Sequence, residues 1–218
     1  MIGSAFPLNQ FTYELMKVIL ANTMSGEGKD QEVEQLAKWV RSAQNGEQKA
    51  FGEIIRVTQR RLIKFAYLLT GQSEIAEDLC QETYLKAFEA ISSLKEPERA
   101  VPWLYRILKN LSIDRVRSAA HQNEQGTEDL EVLMDPTTST GSERHQILEI
   151  RELMATLEAS DRFLVLAVHL EGYSYKEAAE IAGLTEDAVR LRLHRARKFL
   201  LEKLSDPETK SAVRPSKV

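Results

Sequence analysis

Between Ser174 and Leu204 the sequence reads as two helices with a hard break between them, and this pattern constrains the fold more than any other stretch. Tyr175, Ala178, Ala179, Ile181 and Ala182 fall on one face of a short helix. Gly183 follows where a helix end needs a left-handed residue, and Thr185 can accept an N–H from the first turn of the next helix. Glu186 and Asp187 then sit in that first turn, where negative charge complements the helix dipole. At about 100° per residue, Leu193, Ala196 and Leu200 lie within about 40° of Val189, which makes one buried stripe. The opposite face carries Asp187, Leu191, His194, Arg195 and Lys198, with Arg190, Arg192 and Arg197 on the flanks. The unit is therefore a helix-turn-helix. Its second helix fits the DNA major groove, where Arg pairs with guanine, an apolar residue touches the thymine methyl, and flanking cations reach phosphates. A charged helix taken alone reads equally as a solvated face; the capped helix upstream favours DNA.

The rest of the chain is helical by the same criteria. No stretch alternates apolar and polar residues long enough for a sheet, and Gly and Pro are sparse within the periodic segments. The expected fold is all-α, with two small helical domains joined by a flexible acidic linker. Residues 1–29 are atypical. Met24 precedes a polar run, Ser25 to Asp30, after which Val33, Leu36, Ala37 and Val40 start a helical pattern, so translation is expected to begin at Met24. Residues 30–119 form the first domain, with breaks at Asn45-Gly46, Gly71 and Pro97. Residues 120–144 form the linker, and no Lys or Arg occurs from 120 to 143. Residues 145–205 form the second domain, and 206–218 read as a disordered tail.

Two faces of the first domain stand out. In the helix opened by Pro102, Leu104, Ile107, Leu108 and Leu111 build a buried stripe. The other side shows Trp103, Arg106, Lys109, Asn110, Ile113, Asp114 and Arg117, a set suited to single-stranded nucleic acid: an aromatic group stacks on bases while cations hold the backbone. Core packing is the competing reading for Trp103 alone. Between Ile75 and Ile91, the buried arc is read as Leu79, Cys80, Thr83, Tyr84, Ala87 and Phe88, leaving Asp78, Gln81, Glu82, Leu85 and Glu89 outside. A leucine ringed by acids and an amide suits docking to a basic protein helix, against the alternative of a plain solvated face.

These segments resemble the sigma-70 family, specifically the extracytoplasmic-function (group 4) sigma factors, which consist of sigma2 and sigma4 domains. The matching stretches are Ala76 to Thr83 (AEDLCQET), Trp103 to Arg117 (WLYRILKNLSIDRVR), Tyr175 to Ala179 (YKEAA) and Val189 to Arg197 (VRLRLHRAR), and the resemblance spans roughly 33–204. It implies a factor that carries core RNA polymerase to promoters and melts the minus-10 region. Asp78, Gln81, Glu82 and Leu85 would dock on the clamp coiled coil of the beta-prime subunit. Trp103, Arg106, Lys109, Asn110, Asp114 and Arg117 would act at minus-10 DNA, with a loop at about Leu94 to Val101 helping to select a flipped base. Arg190, Leu191, His194, Arg195, Arg197 and Lys198 would read minus-35 DNA, and the same unit would contact the beta flap. The linker resembles the connector that threads the polymerase cleft, and an anti-sigma factor is implied as a partner. Two positions depart from the family pattern: Lys109 stands where Arg is common, and Leu191 where Ser is frequent, which bears on minus-35 base preference.

Other function classes find little support. The single Cys80 permits no intramolecular disulfide, and the four histidines do not cluster with it at metal-ligand spacing. Neither a Gly-rich phosphate loop nor a nucleophile set at motif spacing is present, so no enzyme, metal or cofactor is expected. The apolar run Phe11 to Leu20 is broken by Glu14 and Lys17 and is too short to cross a bilayer; the chain reads as cytoplasmic, without membrane insertion. The rival reading is an autonomous helix-turn-helix regulator of duplex operators. Net charge bears on this choice: 33 acidic against 29 basic residues give −4, unlike most free-standing DNA binders. Either the cations are concentrated on one surface, or a partner supplies much of the DNA affinity.

Overall fold

The computed structural model describes residues 26–119 and 141–205, with side chains described for 31–112, 147–148 and 150–203. Met24, the linker from 120 to 140, the tail and the side chains of Asp114 and Arg117 lie outside the described residues. Among those described, eight α-helices and no strand occur: α1 (Gly26–Gln44), α2 (Gln48–Thr70), α3 (Ser73–Ala90), α4 (Ala100–Ala119), α5 (Gly141–Ala155), α6 (Ala159–His169), α7 (Tyr175–Ala182) and α8 (Glu186–Ser205). Short 3-10 turns, Ile91–Ser93 and Pro97–Arg99, connect α3 to α4. The outer helices begin earlier than periodicity indicated: α1 opens at Gly26 inside the polar run, and α5 at Gly141 inside the segment read as linker. Both openings are polar, so no apolar stripe marks where they start.

Caps set the breaks. At Gly71 the backbone is left-handed (φ 81°), and its N–H returns to the Tyr67 carbonyl, closing α2. The helix-turn-helix is built as its sequence indicates. Ser174 and Glu177 form a reciprocal capping box at the start of α7, Gly183 (φ 70°) closes it, and the Ala188 N–H donates to Thr185 Oγ1 at 3.2 Å.

The first four helices bury Phe65, Leu68, Leu79, Leu104 and Leu108. The last four bury Ile147, Met154, Leu164, Val189 and Leu193. These two sets belong to a single continuous core. Phe65 of α2 joins them, its ring lying 4.7 Å from that of Tyr105 in α4 and 5.3 Å from that of Phe163 in α6. Tyr105 in turn meets Tyr173 edge-on at 5.9 Å. Aromatic contacts of this geometry are favourable beyond their buried area, so the two helical units are packed on one another.

Buried polar groups reinforce this seam. Arg61 of α2 pairs with Glu171, whose side chain is only 4% exposed, in the turn after α6. The guanidinium of Arg162, at the start of α6, meets no carboxylate among the described residues. It donates instead to the carbonyls of Leu69, Ala155 (3.2 Å) and Leu157 (3.0 Å). Those carbonyls lie at the C-terminal ends of α2 and α5, where orphan acceptors and the negative ends of two helix dipoles gather. One cation thus ties the two units together.

Candidate promoter-reading surface

Helix α3 displays through its wheel the residues read from the sequence as a docking patch. Leu79, Thr83 and Ala87 point into the core, leaving Asp78, Gln81 and Glu89 exposed, Glu82 half-buried and Leu85 66% exposed. Phe88, read from the sequence as buried, is 49% exposed. It lies about 180° from Leu79 on the wheel and meets the Phe51 ring edge-to-face, at 5.1 Å between centroids. It therefore adds apolar surface beside Leu85. Cys80 is buried, and burial first, then the Glu77 carboxylate, pushes its thiol up to about 12, so it is unreactive at neutral pH.

Helix α4 carries the second face. Leu104 and Leu108 are buried, whereas Ile107 and Leu111 are half-buried. Tyr105, given no role by its sequence pattern, is buried against Phe65. Trp103 is half-buried rather than standing free: its ring packs on the core and also lines two recesses. Core packing and a wet face are thus both true of it. One recess, of about 600 Å³, runs between α3 and α4 past Glu82, Lys86, Trp103 and Asn110, and so connects the acidic face of α3 to the α4 face. The other, of about 190 Å³, is bounded by Leu94, Lys95, Glu96 and Arg99 of the connecting loop and by Trp103 and Arg106.

Glu180 and Ile181 of α7 roof this smaller recess. The roof is fastened at two points. Arg99 pairs with Glu180, and the Lys109 ammonium donates to the Ala182 carbonyl at 3.0 Å. Partial burial, then the neighbouring Arg106, hold the Lys109 pKa below its ordinary value. Of the residues read as minus-10 contacts, Arg106 and Asn110 are exposed, Trp103 lines the recesses, and Lys109 is turned to the helix-turn-helix.

Helix α8 presents the third face. Val189, Leu193 and Ala196 are buried, and Leu191, His194, Arg195, Arg197 and Lys198 are exposed, Leu191 at 49%. Arg190 reaches its own first turn, 3.0 Å from Glu186 and 3.5 Å from Asp187, an exposed arrangement worth little energetically and easily exchanged. Arg192, grouped with the phosphate-reaching flanks, instead turns inward to Asp161 and Ser160 at the start of α6. Residues whose part sequence patterning did not show are Arg99, Glu180 and Gln44. Their neighbourhoods were marked, by the Asn45-Gly46 break, the loop at Leu94 to Val101 and the first helix of the helix-turn-helix, but long-range partners leave no periodic trace.

Among the described residues no group of three or more His, Cys, Asp and Glu could hold a metal ion, and no helix is long and apolar enough to cross a membrane.

A helical bundle with an acidic, leucine-centred patch and an aromatic-cationic face, joined in one chain to a capped helix-turn-helix, defines a two-part sigma-type transcription protein. Comparison with known proteins agrees: the sigma-70 region 2 model matches residues 54–122 and the sigma-70 region 4 model matches 147–200. The ECF RNA polymerase sigma factor SigL of Mycobacterium tuberculosis is 34% identical over 152 residues, covering 66% of this chain and 84% of the relative. SigM of the same species is 30% identical over 152 residues, covering 70% and 76%. A probable sigma factor, RfaY of Xanthomonas campestris, is 34% identical over 158 residues; the match takes in 70% of this chain but 40% of that longer protein. Among solved structures, CnrH in complex with the cytosolic domain of CnrY shares the fold, with a TM-score of 0.59 at 22% identity over 78% of this chain and 97% of that one. The chain belongs to the sigma-70 family, in its extracytoplasmic-function group. Proteins of this family are transcription factors rather than enzymes.

Proposed function

We propose that this chain is a dissociable initiation factor: it binds core RNA polymerase, selects promoters and opens the minus-10 region. Residues 30–119 supply polymerase docking through Asp78, Gln81, Glu82 and Leu85, and minus-10 capture through Trp103, Arg106, Lys109, Asn110, Asp114 and Arg117. Residues 145–205 supply minus-35 reading through Arg190, Leu191, His194, Arg195, Arg197 and Lys198, with the beta flap as a further contact. The connecting segment runs through the polymerase cleft, an anti-sigma factor holds the free protein, and the protein works in the cytoplasm.

The observation that carries this reading is the chemistry of α4 beside that of α8. An operator-binding regulator of duplex DNA has no use for a tryptophan lining an open recess among Arg106 and Asn110. A protein that captures unpaired bases does: stacking holds the base while cations hold the backbone. Because α7 roofs the smaller recess, α7 and α4 must part before that recess can take a base.

Core polymerase loaded with the full chain is expected to transcribe a subset of a randomised promoter library. Trp103→Ala should leave closed complexes intact while permanganate reactivity of minus-10 thymines is lost. Normal reactivity in that variant would refute the minus-10 assignment. Tight duplex binding without polymerase would favour the autonomous regulator.

A further inference from the structure

The wall of the smaller recess is a loop with little to hold it. Residues 91–99 consist of two single-turn 3-10 elements separated by non-helical backbone, extended at Leu94 (φ −73°, ψ 104°) and irregular at Glu96 (φ −116°, ψ 87°). Such turns have poor internal hydrogen bonding and do not set a loop's shape alone. On its inner side this loop offers Leu94, Lys95, Glu96 and Arg99 to the recess. Its outer side is held by α1. The Gln44 Nε2 group donates to the Ile91 carbonyl at 3.0 Å and to the Leu94 carbonyl at 2.7 Å. Each of the two amide protons is thereby used. One turn earlier on α1, Arg41 pairs with Glu98 of the second 3-10 turn.

Helix α1 lies outside residues 54–122, the part matched by the region 2 model. Nevertheless, its Gln44 side chain bonds both the Ile91 and the Leu94 carbonyls. We propose that Gln44, assisted by Arg41, is a positioning residue for base selection: by fixing the Ile91 and Leu94 carbonyls from behind, it sets the width of the recess that receives an unstacked nucleobase between the loop and Trp103. This rests on the minus-10 reading above. Gln44 touches no DNA; it acts through the loop. A donor is required, since the groups it meets are both carbonyls, whereas shape alone is not enough.

The test uses full-length protein in holoenzyme. Promoters are first selected from a library by the wild type, each minus-10 base is then varied, and the ratio of open-complex formation between the best and worst base is measured. Gln44→Ala and the near-isosteric Gln44→Glu, which cannot donate, should reduce that ratio about tenfold at one base position, the scale of two lost neutral hydrogen bonds. Gln44→Lys, which restores a donor with sufficient reach, should keep it within about threefold of wild type. Core-polymerase affinity should be unchanged in all three, because the docking patch on α3 is not involved. A general loss of stability would lower open-complex formation on every base alike and leave the ratio unmoved. Wild-type ratios in the Glu variant, or equal losses in the Glu and Lys variants, would overturn the proposal, and the Glu and Lys pair decides this even if the Ala variant fails to fold. Failure of the wild type to form any open complex would instead overturn the minus-10 reading itself, and this inference with it.

Discussion

Removing either member of the Arg61–Glu171 pair should destabilise the protein, but by unequal amounts. The pair joins α2 to the turn after α6, and breaking a buried ion pair from one side typically costs about 3–5 kcal/mol because a charge is left stranded. The two members differ in what they leave behind. Glu171 is 4% exposed and Arg61 34%. Arg61→Ala strands a buried carboxylate beside Tyr105 and Tyr173 and should cost about 3–4 kcal/mol. Glu171→Ala leaves a guanidinium that can swing to water, so the cost should fall to about 2 kcal/mol. The double variant should cost less than the sum, by a coupling of about 2 kcal/mol. Urea unfolding of the four proteins measures all of these quantities. Equal losses for the two single variants, or additivity in the double, would refute the reasoning. Since the pair lies on the seam, a weakened seam should also improve apparent polymerase affinity if the packed form must open before docking.

Other predictions rest on single positions. Arg195→Ala should weaken selection of promoters carrying the minus-35 element, by about 1–3 kcal/mol if the side chain pairs with a base, while core binding is kept; unchanged selectivity would remove Arg195 from the reading face. Gly183→Ala should cost about 1 kcal/mol, since no atom lies within 4 Å of the added methyl and only the positive φ of 70° resists it. A loss above about 3 kcal/mol in thermal or urea unfolding would show that the turn is tighter than its geometry indicates. His169 has a depressed pKa, through burial and then Arg197. Its folded form therefore takes up a proton less readily than the unfolded chain, so its contribution to stability is present above the unfolded value of about 6.5 and declines as pH falls below it. His169→Gln should flatten that acid limb of a stability-pH curve, and an unaltered limb would assign it to other groups.

The sequence showed secondary structure and faces far better than it showed contacts. Gly183, Ser174 and Thr185 are legible because capping is a local geometric need met by particular residue types. The stripe of Val189, Leu193 and Ala196 is legible because a helix repeats. Periodicity says that a face is covered, not by what. Tyr105 and Trp103 are neighbours on α4, yet one is buried among rings from both units while the other lines two recesses, and nothing local separates them. Phe88 shows the limit of the same method: at the edge of a buried arc, exposure depends on whether a neighbour such as Phe51 reaches far enough. Arg162 is harder still, since its acceptors are helix-end carbonyls that no side-chain pattern records.

The acidic net charge is best understood from where the cations go. Arg61, Arg99, Lys109, Arg162 and Arg192 are all committed to partners within the chain, and the first four of them join the two units. What remains available for DNA on α8 is a short set: His194, Arg195 and Arg197, with Lys198 held loosely by Glu202 and Arg190 by its own first turn. Non-specific DNA affinity rises with the number of phosphates neutralised, so a set this small gives weak binding with a shallow salt dependence. Held together on one large polymerase, two weak readers gain effective concentration and no longer need affinity of their own. Adding cations to α8, as in Glu202→Lys, should therefore strengthen DNA binding by the isolated chain and steepen its salt dependence, while changing promoter selection by the holoenzyme little. Improved selection in proportion to the added charge would mean that α8, not the tether, limits recognition.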